Sequence, residues 1–169
     1  MKQSFMQGNF GVRPNRIVFN TYTLVGLIYC TAFTWIFHSV SPSVFLSLLH
    51  LAAFLVFLSN YFYLARTGNF DRATSIFLGA GLGVVMGLFA TGGWQNTGYL
   101  WPLVYLVFVF FISEGNALRW IIYLYSASIL VVLLHTVHLV RQPYSVVEVI
   151  SYFAALGVIT VFIYYFQKP

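Results

Sequence analysis

The sequence predicts an all-α, polytopic membrane protein, a bundle of six transmembrane helices with both termini in the cytoplasm. Three observations predict it. Of the 169 residues, 60% are hydrophobic and 7% charged, where a soluble domain carries about 25% charged residues. Residues 17–65 and 73–113 contain no Lys, Arg, Asp or Glu, and each run is long enough for two crossings of about 20 residues. Stretches such as Val107-Phe108-Val109-Phe110-Phe111 are apolar on every face, whereas a membrane β-barrel alternates over segments of about ten residues.

Taken in order, residues 1–16 form a cytoplasmic N-terminal segment without the shape of a signal peptide, because the apolar run starts late and exceeds an h-region in length. The first span covers 17–40. The polar break Ser39-Val40-Ser41-Pro42-Ser43 ends it; Ser41 is the expected N-cap and Pro42 the first helical residue of the second span, 42–65. Asp71 and Arg72 precede the third span, 73–91. The break Thr91-Gly92-Gly93-Trp94-Gln95-Asn96-Thr97-Gly98 separates it from the fourth, 99–114. From Tyr99 to Ile112 this span is about 21 Å of helix against roughly 30 Å of hydrocarbon. Either the helix continues into 113–117, or the preceding loop dips below the headgroups, where irregular backbone must be buried in protein or line a cavity. The fifth span, 119–140, stops at Arg141-Gln142-Pro143-Tyr144-Ser145, and the sixth runs over 145–166. Residues 167–169 are the cytoplasmic end, expected to lead into an output module.

The orientation follows from the basic residues. If the spans alternate, Lys2, Arg13, Arg16, Arg66, Arg72, Arg119 and Lys168 share one side and Arg141 alone lies on the other. Positively charged ends stay in the cytoplasm. Trp35, Trp94, Tyr99 and Trp101 then mark the outer interface, and Tyr61, Tyr63, Trp120, Tyr164 and Tyr165 the inner one. The scattered basic residues form no patch, so nucleic acid is not an expected partner. The partner the composition demands is the lipid bilayer.

The ionisable residues give no catalytic set. Glu148 stands three residues after Ser145, the spacing of a capping box. Asp71 and Glu114 read as wet cytoplasmic residues, and the single cysteine, Cys30, provides neither a disulfide nor a metal site. No catalytic residue and no metal ligand set is expected in this chain. The four histidines, His38, His50, His135 and His138, fall in the outer half of the membrane under this orientation. His135 and His138 share a helix face, and two histidines from different helices are the arrangement that clamps a haem, so a b-type haem is the one cofactor the sequence leaves open. Gly79, Gly83 and Gly87 recur every fourth residue and predict a close helix contact, inside one bundle or across a homodimer.

The loop 91–101 has the small backbone and the hydrogen-bond donors of a pocket wall. Trp94, Gln95, Asn96, Thr97 and Trp101, joined by His50, His135 and His138 from neighbouring spans, form the expected ligand site. A lipophilic molecule with a polar head would bury its chain among Phe and Leu and leave its head to the polar residues.

The same residues carry a resemblance. Thr91-Gly92-Gly93-Trp94-Gln95-Asn96-Thr97-Gly98-Tyr99-Leu100-Trp101-Pro102, the run ending Phe108-Val109-Phe110-Phe111-Ile112 and a short polar turn with Gly115 resemble a bacterial six-helix membrane sensor region, of the type that precedes diguanylate cyclase or histidine kinase modules. In that family the proline stands several residues after the tryptophan, whereas here Pro102 follows Trp101 directly. The resemblance implies a sensory domain of the bacterial inner membrane that passes a small-molecule signal through the sixth helix to a cytoplasmic signalling domain, with any catalysis lying beyond residue 169. The alternatives on sequence grounds are a small transporter or channel, whose midplane ionisable groups are missing here, and a haem-binding electron carrier.

Overall fold

A computed structural model describes residues 14–40, 43–113, 116–137 and 144–166, with side chains described between 19 and 165 in those ranges. The described residues fold into helices joined by short turns, without a strand among them. They form α1 (Pro14–Ser39), α2 (Val44–Thr67), α3 (Phe70–Thr91), a 3-10 segment (Trp94–Leu100), α4 (Trp101–Ile112), α5 (Ala117–Thr136) and α6 (Val146–Phe166). Among the described residues, five segments are long and apolar enough to cross a bilayer: Val44–Thr67, Phe70–Thr91, Trp94–Ile112, Ala117–Thr136 and Val146–Tyr165. This is the architecture of an integral membrane protein. α1 is longer than any of them, 26 residues, and its side chains are described from residue 19 on.

The helix ends follow local chemistry. Ser43, rather than Ser41, caps α2, its Oγ accepting from the Leu46 amide at 3.4 Å; Ser41 and Pro42 lie outside the described residues. Gly68 ends α2 in the left-handed region, φ 65°, its amide donating to Leu64 O, and Asn69 Oδ1 accepts from the Arg72 amide to start α3. Two residues thus suffice to reverse the chain, since glycine alone adopts the left-handed turn without a steric penalty. At the start of α6 the expected capping box forms: the Glu148 amide donates to Ser145 Oγ at 3.3 Å and the Ser145 amide to Glu148 Oε2 at 2.6 Å.

The short fourth span is completed at the end away from Ser113. The 3-10 segment leads into α4, so the segment Trp94–Ile112 has 19 residues and is kinked near its start. Gln95 and Asn96 are its irregular point, with φ 53° and 61°, left-handed values that cost about 1 kcal/mol or more for residues bearing a Cβ.

α3 is the central helix, touching α1, α2, α4, α5 and the 3-10 segment, and its Leu78, Leu88 and Phe89 are fully buried. α6 rests on α4 and the 3-10 segment. Of the three α3 glycines that recur every fourth residue, Gly87 is the close approach: a Cβ there would fall on the Leu49 side chain of α2. Gly79 would meet the Trp120 ring at an ordinary 3.7 Å, and Gly83 has nothing within 4 Å. The close contact expected over all three therefore narrows to Gly87 inside the bundle.

Most hydroxyls in the spans bond back to their own helix. Thr23, Thr31, Thr91, Ser128, Thr136 and Thr160 each donate to the carbonyl four residues earlier at 2.7–2.9 Å. Where no water is present, this satisfies a donor without a second helix.

Candidate functional site

A partly open cavity of about 280 Å³ lies between α1, α2, α3 and α4. It exists because two glycines face bulky neighbours. Gly26 of α1 lies under the Phe57 ring, where a Cβ would come within 3.2 Å, and Gly81 of α3 lies under the Tyr105 ring at 3.5 Å. The rings that prop the helices apart are locked by one another: Phe57 stacks on Phe77 with centroids 4.7 Å apart, and the Tyr105 hydroxyl donates to Leu78 O at 3.0 Å. Val84 and Val85 of α3 and Phe108 of α4 complete the wall. No residue lining the cavity carries a formal charge.

Trp101 closes one end. Its ring lies 5.2 Å from Tyr29 and edge-on to Phe33 at 5.5 Å, distances typical of favourable aromatic pairs. Behind them sits His50, fully buried, its ring stacked on Phe33 and tilted against Phe37. Its Nδ1 lies 2.7 Å from Leu46 O. A carbonyl only accepts, so Nδ1 carries the proton and Nε2 of the neutral ring accepts from the Tyr29 hydroxyl at 3.4 Å.

The expected ligand residues are thereby divided. Trp101 lines the cavity, and His50 stands one ring behind it. Trp94, Gln95, Asn96 and Thr97 are exposed and do not line it; the Thr97 hydroxyl is turned inward to donate to Trp94 O at 2.7 Å. His135 is buried on the far side of α3, where its Nε2 donates to Ala90 O at 3.2 Å, fastening α5 to the end of α3. His138 lies outside the described residues. His50 and His135 each face a backbone carbonyl of a helix, and no group of three or more metal-ligating side chains occurs among the described residues. The sequence reading missed Tyr22, Gly26, Tyr29, Gly81 and Val104. Glycines beside mid-span tyrosines were the available signal.

The loop residues have a different role, that of a joint. The Gly98 amide donates to Gly92 O at 2.8 Å, and a Cβ on Gly98 would collide with Leu88 O, the Gly92 carbonyl carbon and the Tyr144 hydroxyl. Tyr144, which enters α6, stacks on Phe89 of α3 and meets Tyr99 edge-on, both at 5.5 Å. Burial, and then the nearby Glu148 carboxylate, push the Tyr144 phenol above its usual range, so it stays protonated. The 3-10 segment therefore links the cavity wall at Trp101 to the start of α6.

These features define an integral membrane helical bundle with an uncharged internal cavity. No family model, no curated protein and no solved structure matches the chain.

Proposed function

We propose that this chain is a sensory transmembrane domain that binds a lipophilic molecule in the α1–α4 cavity and passes the change to α6. On this reading α1 is a sixth crossing and both termini are cytoplasmic. The membrane is the bacterial plasma membrane, and α6 leads into a cytoplasmic signalling module. The observation that carries the reading is the cavity, apolar, uncharged and walled by helices that also hold Trp101. Support for the relay comes from the chain of contacts running from Trp101 through the 3-10 segment to Tyr144. The site has moved from the outer loop, where the sequence suggested it, to the middle of the bundle.

Spin labels at Tyr61 and Tyr165, both exposed, test the relay in nanodiscs. A saturating lipophile is expected to change their separation by about 2 Å or more, the scale of helix shifts in switching proteins. An unchanged distance in a protein that binds the lipophile would refute the relay. Asn96→Cys is expected to react with an impermeant thiol reagent from outside intact cells. The native Cys30, being buried, leaves no background.

A further inference from the structure

We infer that the ligand of the cavity is an uncharged aliphatic chain of about ten to twelve carbon atoms, admitted sideways from the hydrocarbon layer between α1 and α4. This rests on the reading of the chain as a lipophile-binding domain, and three observations carry it.

The first is size. At about 280 Å³ the cavity is nearly twice the roughly 150 Å³ that takes up one benzene molecule. The second is charge. No Lys, Arg or His lines the space, so a buried carboxylate or phosphate would lose its water without gaining a counter-charge, a cost that ordinarily drives such a group to stay outside or to neutralise. The walls turn hydrocarbon and ring faces to the space and no polar atom, so a guest is held by apolar contact alone.

The third observation is the mouth. Val25 of α1 and Val104 of α4 both line the cavity and are 47% and 42% exposed. They sit near the midpoints of Pro14–Ser39 and Trp94–Ile112. An opening at that height faces lipid tails, so a molecule reaches it by dissolving in the bilayer. The chain would come from a free neutral amphiphile or from an acyl chain of a bilayer phospholipid, which share this chemistry.

The test uses the whole chain in nanodiscs, with tryptophan fluorescence as readout, since bromine quenches Trp101 from within the cavity. ω-Bromoundecanol is expected to quench saturably. Ionised ω-bromoundecanoate is expected to bind about tenfold or more weakly. Gly81→Leu, which fills the cavity, and Val104→Phe, which narrows the mouth, should each abolish the saturable component. If Gly81→Leu fails to fold, the exposed Val104→Phe carries the experiment. In nanodiscs of brominated phosphatidylcholine, quenching that both variants lose and undecanol does not relieve assigns the chain to phospholipid; quenching relieved by undecanol assigns it to the free amphiphile. Equal binding of acid and alcohol, lost in both variants, would overturn the uncharged class while leaving the cavity as a lipophile site. Absence of any quenching sensitive to either variant would overturn the site and the receptor reading together.

Discussion

The two sides of α3 solve the same problem differently. On one side α1, α2 and α4 meet through rings that leave space, and the side-chain pair between α1 and α2, Tyr29 to His50, is a long contact of 3.4 Å. On the other, α5 and α6 are tied by hydroxyls. Ser128 donates to Leu124 O at 2.8 Å and so accepts from the Tyr152 hydroxyl at 2.6 Å; Thr160 donates to Leu156 O and accepts from Tyr125 at 3.4 Å. Helices in lipid gain little from burying apolar surface against one another, and interhelical hydrogen bonds of about 0.6–2 kcal/mol become the specific glue. The contrast teaches that the α5–α6 side fixes geometry, while the α1–α4 side keeps room for a guest.

The largest expected effect breaks both sides at once. Gly98→Ala places a methyl group against backbone atoms of α3 and of the Gly92 turn, and we expect a loss of about 3 kcal/mol or more, read as a collapse of the thermal transition in detergent. Next comes a pair that separates the two sides. Leu124→Phe, at a fully buried position of α5, should cost about 1–3 kcal/mol by overpacking. Val84→Leu, on the cavity wall, should leave the melting temperature unchanged or raise it. Equal destabilisation by both would mean that the cavity does not exist in the bilayer.

A smaller effect sharpens the hydrogen-bond contrast. Tyr152→Phe removes the donor to Ser128 and should cost about 1 kcal/mol, whereas Tyr29→Phe, losing a 3.4 Å contact, should cost under about half of that. Last, Gly83→Leu should lie within about 0.5 kcal/mol of the parent protein, because nothing stands within 4 Å of the added Cβ. A cost above about 1 kcal/mol, together with a change in oligomeric state, would place a second copy of the chain on that face.

Much of the bundle was legible in the sequence, and for a physical reason: a bilayer requires long uncharged segments and marks their ends with polar residues. The expected spans 42–65 and 145–166 meet Val44–Thr67 and Val146–Phe166 within two residues, and Ser145 and Glu148 cap as their spacing implied. The fourth span was legible as too short, while the 3-10 segment that precedes it, kinked at the left-handed residues Gln95 and Asn96, was not. The cavity was hidden more deeply. It depends on Gly26 meeting Phe57 and Gly81 meeting Tyr105, pairs far apart in the chain whose register only the assembled helices set. The loop's polar side chains suggested a ligand wall, and its glycines carry the packing contacts that the helices alone reveal.

The hydroxyls that bond back to their own helices bear on the sixth crossing proposed for α1. A transfer scale charges each threonine as though its hydroxyl had to abandon water unrequited. In α1 the Thr23 and Thr31 protons already rest on Phe19 O and Leu27 O once the helix has formed, so the segment presented to the insertion machinery is oilier than its letters. Its partition into lipid is expected to depend on helix formation first, and a proline placed early in α1 should therefore expel it from the membrane more effectively than an added charge near either end.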